Sequence, residues 1–170
     1  KDKRIKVIHQ TNQGIATVRN AGVKLAKGDY LFWIDSDDYI KENIIERLYE
    51  NLVAYDADIS ICDFIKGSEI NYIFPEENNF TVECFSNQHG LELIYKNAHY
   101  SFIMAASWAK LIKKDLYNGL QYPDGKIFED IYMSHHLINK CKKIVFTNEV
   151  MYYYYQWPES ILGKQFSYGV

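Results

Sequence analysis

Three carboxylates fall within four residues at Asp35-Ser36-Asp37-Asp38, directly after the apolar run Tyr30-Leu31-Phe32-Trp33-Ile34. Carboxylates this close repel one another, by about 4 kcal/mol for a pair at ~4 Å in an effective dielectric of ~20. Such a cluster needs a proton, a cationic side chain or a divalent cation. Mg²⁺ is commonly held by one or two carboxylates plus substrate phosphates, and Mn²⁺ shares the preference for oxygen. The competing reading is structural, with Asp37 or Asp38 capping a helix that starts near Ile40. An EF-hand is excluded. With Asp35 as first ligand, the fifth and sixth places hold Tyr39 and Ile40, where an oxygen ligand and a glycine are required. A phosphatase using Asp35 as nucleophile stays open on the tetrapeptide alone. Glu129 and Asp130 form a second acid pair, in the first turn of a predicted helix, where the macrodipole favours negative charge. His135 and His136 point to different helix faces, lack HExxH spacing and read as solvated or packed. No GxxxxGK or GxGxxG stretch is present, so neither of those phosphate cradles is available.

The elements that must position these acids follow from periodicity. Residues 6–9 read as a short strand, and Asn12-Gln13-Gly14 as a turn. Residues 15–27 have helical spacing (Ile15, Val18, Leu25, Ala26), ended by Gly28-Asp29. The continuous run 30–34 predicts a strand buried on both faces, as in a parallel sheet between helices. Residues 40–54 predict a helix with Ile44, Ile45, Leu48 and Leu52 on one side. Residues 58–64 alternate as a half-buried strand, and Gly67-Ser68 reads as a hairpin turn into 70–74. A polar loop at 75–79 precedes a helix over 86–97, with Leu91, Ile94 and Tyr95 inward. An extended segment is expected at 108–112, a turn at Pro123-Asp124-Gly125, a helix over 127–139 and a strand at 144–146. The run Tyr152-Tyr153-Tyr154-Tyr155 predicts two core and two exposed rings if it is a strand. Strand and helix alternation indicates an α/β fold.

The chain has 170 residues, 48% hydrophobic and 24% charged, which fits one globular domain. The net charge of -3 argues against general nucleic-acid binding. Cys62, Cys84 and Cys141 form no CxxC pair, so no disulfide framework or structural zinc site is indicated, and a reducing, cytoplasmic setting is expected. Residues 1–6 lack the apolar region of a signal peptide, and no apolar run reaches the ~20 residues of a membrane span.

Residues 12–38 carry a connected set of motifs: Asn12-Gln13-Gly14, Arg19-Asn20-Ala21-Gly22, Ala26-Lys27-Gly28-Asp29-Tyr30 and Asp35-Ser36-Asp37-Asp38. This set closely resembles the family 2 glycosyltransferases of the GT-A fold. Further along, Trp108-Ala109-Lys110 resembles the family's Trp-x-Lys segment, and Phe128-Glu129-Asp130 its Glu-Asp motif. Tyr152 to Tyr155 with Pro158, Ser160 and Ile161 resembles the tail of bacterial capsule and lipopolysaccharide members. The resemblance implies a GT-A fold, a mixed sheet with flanking helices. It further implies that residues 1–54 belong to a nucleotide-binding half and 55–170 to an acceptor-binding half with its tail.

By the same resemblance the donor is a nucleotide diphosphate sugar, and the acceptor a saccharide or lipid-linked saccharide met at the inner face of the membrane. Asp37 is then the foremost metal ligand, for Mn²⁺ or Mg²⁺, with Asp35 and Asp38 beside it. Asp35 and Ser36 lie nearer the ribose. Asn12, Gly14, Arg19 and Asn20 are expected at the substrate, although Arg19 would serve equally as an ion-pair partner of one of these Asp residues. Asp130, helped by Glu129, is the expected general base, and a single displacement inverts the anomeric centre. Trp108 is expected to stack on a sugar ring or to sit in the core, and Lys110 to contact substrate.

Two departures bear on this. Family members open with an apolar strand, a helix and a second strand ending in an Asp-Asp-Gly-Ser segment that grips the base; none of that precedes Lys1, so an N-terminally truncated GT-A domain is expected. A sheet without those strands would present an edge through which two copies could pair. In addition, Tyr155, Gln156 and Trp157 stand where many relatives carry Arg. A non-catalytic binding or assembly module that keeps the scaffold is the alternative reading.

Overall fold

The computed structural model describes residues 2–76 and 79–157 of the chain. Two residues of the expected 75–79 loop, and Pro158, Ser160 and Ile161, lie outside the described residues. In chain order the elements are α1 (Ile15–Leu25), β1 (Tyr30–Phe32), β2 (Tyr39–Ile40), α2 (Ile44–Ala54), β3 (Ile59–Gly67), β4 (Val82–Ser86), α3 (Asn87–Lys96) and α4 (Ala98–Ala105). They continue with β5 (Lys110–Lys113), a 3₁₀ turn (Lys114–Tyr117), α5 (Glu129–Lys140) and β6 (Lys143–Tyr155).

The strands form one mixed sheet in the order β1-β5-β3-β6-β2, and β4 also pairs with β6. Only β3 and β6 run parallel, while β1–β5, β3–β5, β2–β6 and β4–β6 are antiparallel. The first half of β6 carries β4 (Val82 opposite Thr147) and its second half carries β2 (Tyr39 opposite Tyr153). The core gathers on β3, β5 and β6. Ile59 and Ile61 face Met104, Leu137 and Ile138 across a small shared cavity, while Ser60 and Cys62 are buried on the other face.

Local chemistry explains the helix boundaries. Gly14 begins α1 at φ +88, a conformation that a Cβ would oppose. The Ser86 hydroxyl accepts from the His89 N–H at 3.2 Å and starts α3. Asn97 ends α3 and caps α4, its Oδ1 accepting from His99 and Tyr100 N–H at 2.9 and 3.3 Å.

Several expectations are corrected. Residues 6–9 and 70–74 form no strand, since no neighbouring strand supplies a ladder. β1 pairs on one side only, antiparallel to β5, and buries Leu31 alone. β3 is buried on both faces at residues 59–62, because it lies between β5 and β6 under helices. On α2 the buried stripe is Ile44, Leu48 and Leu52, and Ile45 is exposed. Tyr95 is 77% exposed, so only Ile94 of the expected inward trio is fully buried. Three of the four tyrosines at the end of β6 are buried (Tyr152, Tyr153 and Tyr155), because that stretch is paired with both β3 and β2. β4 and α4 correspond to no element that the periodicity of the sequence indicates.

Candidate active site

The Asp35–Asp38 loop connects β1 to β2 at the end of the sheet. Its four residues have different surroundings. Asp35 is half-buried and lies 3.6 Å from Arg19 Nη2. Burial pushes its carboxyl above the ordinary range. Arg19 pulls it down, and Asp37 and Asp130 push it up again. Asp130 therefore shares an electrostatic neighbourhood with Asp35, although 95 positions separate them in sequence. Ser36 and Asp37 are exposed, and Asp37 makes no hydrogen bond or ion pair among the described residues.

Asp38 is tied to β6. Tyr152 Oη donates to its Oδ2, and the Tyr155 N–H donates to its Oδ1 at 2.9 Å. Burial, the largest influence, pushes Asp38 up to about 6 despite these bonds. The Tyr152 hydroxyl also accepts from the Asp35 N–H at 3.3 Å, so one phenol holds both ends of the loop to β6. Trp108 stacks on the Tyr152 ring, with centroids 4.7 Å apart and planes 11° apart, and fixes that phenol in place. Both Asp38 oxygens are thereby engaged by β6, whereas those of Asp37 have no protein partner among the described residues. Neither Asp37 nor Asp38 caps α2, which starts at Asn43 without a side-chain cap.

Arg19 joins three parts of the site. Its guanidinium, 7% exposed, donates to Glu129 Oε1, reaches Asp35 and lies 5.6 Å from the centre of the Tyr122 ring. This makes Glu129 the buried counter-ion of Arg19. Asp130 is half-buried in the first turn of α5, its Oδ1 accepting from the Ile131 N–H at 2.9 Å. Phe128 (φ 59) just before α5 and Ala109 (φ 57) beside Trp108 are both left-handed. That backbone costs a non-glycine residue about 1–2 kcal/mol, and such residues gather at functional sites.

Other expected substrate contacts lie elsewhere. Asn20 exchanges two bonds with the Tyr122 backbone, at 2.9 and 2.8 Å, and so holds the loop before α5. Trp108 is 5% exposed and packed among rings, so it offers no face to a sugar. Lys110 is 4% exposed and donates to the Ile103, Met104 and Ala106 carbonyls, closing the C-terminus of α4. Burial pushes its ammonium down to about 7. Asn12 Oδ1 accepts from the Gly14 N–H at 3.1 Å in an exposed turn.

The residues present fit a divalent cation in one respect. Asp37 and Asp35 supply hard oxygen ligands on one loop, and Asp37 has no competing protein partner. Among the described residues no group of three or more His, Cys, Asp or Glu is gathered for a metal. A pair of carboxylates leaves the remaining positions to substrate phosphate and water. Beside the loop, Ser36, Asp37, Asp38, Tyr39, Ile70, Tyr155 and Trp157 line an open pocket of about 260 Å³. Among the described residues no helix is long and apolar enough to cross a membrane.

Known proteins share this arrangement of sequence and fold. Residues 1–120 match the profile of Glycosyl transferase family 2, and the chain belongs to that family. It is 34% identical to "Glycosyltransferase GlyG" of Streptococcus pneumoniae over 97% of this chain and 56% of that protein. It is 30% identical to "Glycosyltransferase GlyA" of the same organism over 90% of this chain and 23% of that protein. The chain thus spans about half or less of the length of these curated relatives. The crystal structure of S. aureus TarS 1-349 in complex with UDP-GlcNAc superposes with a TM-score of 0.70 at 17% identity, over 94% of this chain and 44% of that one. The fold is that of the GT-A glycosyltransferases.

Proposed function

We propose that this protein transfers the sugar of a nucleotide diphosphate sugar to a hydroxyl of a saccharide or lipid-linked saccharide acceptor, by a single inverting displacement that uses Mn²⁺ or Mg²⁺. The observation that carries the proposal is the arrangement of the acids. Asp37 is unpaired and exposed, Asp35 stands beside it under the influence of Arg19, and Asp130 lies within the same electrostatic neighbourhood. Family membership and a fold shared with a UDP-GlcNAc complex support the donor class.

Asp37 and Asp35 are the residues that would hold the cation, and Asp35 with Ser36 would face the ribose. A divalent ion held there would supply positive charge to offset the charge that grows on a departing diphosphate. Arg19, already neutralised by Glu129 and Asp35, orients the loop. Asp130 removes the proton of the attacking hydroxyl, with α5 directing its positive end toward that carboxylate.

To test this, full-length protein is incubated with a panel of UDP-sugars, a panel of saccharide and lipid-linked saccharide acceptors and Mn²⁺, and the released UDP is measured. Asp37→Ala and Asp130→Asn should each lower release by roughly 100-fold or more. Release that is equal in both variants and the parent, or absent with every donor, would contradict the proposal.

A further inference from the structure

We propose that the saccharide part of the acceptor docks on a row of aromatic rings, Tyr154, Phe102, Phe64 and His99, that leads from the acid cluster across one face of the sheet. The proposal rests on the reading of that cluster as the transfer site, and goes on to locate the second substrate.

Tyr154, half-buried on β6, is where the row meets the acids. Its chain neighbour Tyr155 donates its N–H to Asp38 Oδ1, and Trp108 stacks both on Tyr154 and on Tyr152, whose hydroxyl donates to Asp38 Oδ2. Trp108 backs its ring at 5.4 Å and 20°. From Tyr154 the ring centres step 6.0 Å to Phe102, 5.3 Å to Phe64 and 5.8 Å to His99. None of the four rings is fully buried. The exposed Lys66 ammonium lies over the Phe102 ring, 3.6 Å from its centroid, from where it can donate to a sugar hydroxyl.

The edges of the row are polar. His99 Nε2 and Asp63 Oδ1 are 3.1 Å apart at its far end, and Lys66 stands over its middle. β3 shifts register on both sides of Asp63, an irregularity that re-aims side chains beside active sites. Rings with polar edges match one ligand class well. A pyranose presents polarised C–H bonds on one face, which suit the negative face of an aromatic ring, and hydroxyls around its rim. A nucleotide phosphate would meet Asp63 and the acid cluster here, and a purely apolar chain would leave the rim groups unmatched. Trp108, the stacking residue expected from sequence, is enclosed. Three rings of the row, Phe64, Phe102 and Tyr154, pack against it and are partly exposed.

Saturation-transfer NMR on the full-length protein tests this. The probes are methyl β-glucopyranoside, methyl β-galactopyranoside and methyl N-acetyl-β-glucosaminide, with UDP and the diamagnetic Mg²⁺ in the same sample as internal reference. At least one glycoside should receive saturation through its ring C–H protons. Phe102→Ala and the exposed His99→Ala should each lower that signal about fivefold relative to UDP. Because His99 lies at the surface, its variant keeps the test valid if Phe102→Ala fails to fold. No signal from any glycoside, or an undiminished signal in His99→Ala, overturns this proposal alone. Absence of the UDP signal in the parent protein overturns the reading of the acid cluster instead.

Discussion

Neighbouring acids in one short loop have been given different tasks by the atoms around them. Asp37 is left to solvent, Asp35 to Arg19 and Asp38 to Tyr152 and the Tyr155 amide. Tyr152 is the residue that fixes this division. Removing its hydroxyl in Tyr152→Phe frees the Asp35 amide and one Asp38 oxygen together. The Mn²⁺ concentration for half-maximal UDP release should rise about tenfold, while the thermal midpoint moves by only a few degrees. An unchanged Mn²⁺ requirement would show that the loop holds its shape without the phenol. Asp38 also carries a pH signature. Its carboxyl, ordinarily near 3.8, is pushed up to about 6 in the fold. Between those values the folded chain keeps a proton that the unfolded chain has lost. Its contribution is therefore favourable in acid and is lost as pH rises through about 6. Asp38→Asn should gain on the parent in thermal stability from about pH 4 to about pH 7. Allowing for solvent screening, the gain is roughly 1–2 kcal/mol. Parallel stability curves would contradict this assignment.

At the scale of elements, β5 begins with a lysine whose task is to finish a helix. Lys110 gathers three carbonyls at the end of α4 and so fixes the segment that carries Ser107, Trp108 and Ala109. Lys110→Met should cost roughly 3 kcal/mol in urea unfolding, since several charge-assisted bonds are lost, while UDP affinity stays within about twofold. A large loss of UDP affinity at unchanged stability would restore the substrate contact expected from sequence. The same elements show what a sequence can reveal. α2 was legible because it buries Ile44, Leu48 and Leu52 at helical spacing, and α5 in part through Leu137 and Ile138. The spacing that indicated α1 is another matter, since Ile15, Val18 and Leu25 are exposed and the helix buries Ala16 and Arg19 instead. Residues 98–105 are apolar on nearly every side, so α4 has no stripe to detect, and its start depends on the Asn97 side chain. β4 is short and mostly exposed, and its pairing with β6 lies some sixty positions away along the chain. The acids were legible as neighbours. Their partners were not, since Arg19–Glu129 and Asp38–Tyr152 span 110 and 114 positions and leave no local pattern.

Across the whole molecule, β6 is the strand on which the site depends. It runs parallel to β3 through the core, carries β4 on its first half, and meets the acid loop and β2 on its second. Arg19 then draws the start of α5, with Glu129 and Asp130, to the same end of the sheet. The central claim is that this convergence exists to hold a cation against a diphosphate. Calorimetric titration of UDP into the full-length protein, with and without Mn²⁺, tests it most directly. The account predicts that Mn²⁺ tightens binding about tenfold or more, and that Asp37→Ala abolishes this gain. Equal UDP affinity with and without Mn²⁺, or an Asp37→Ala protein that keeps the full gain, would contradict it.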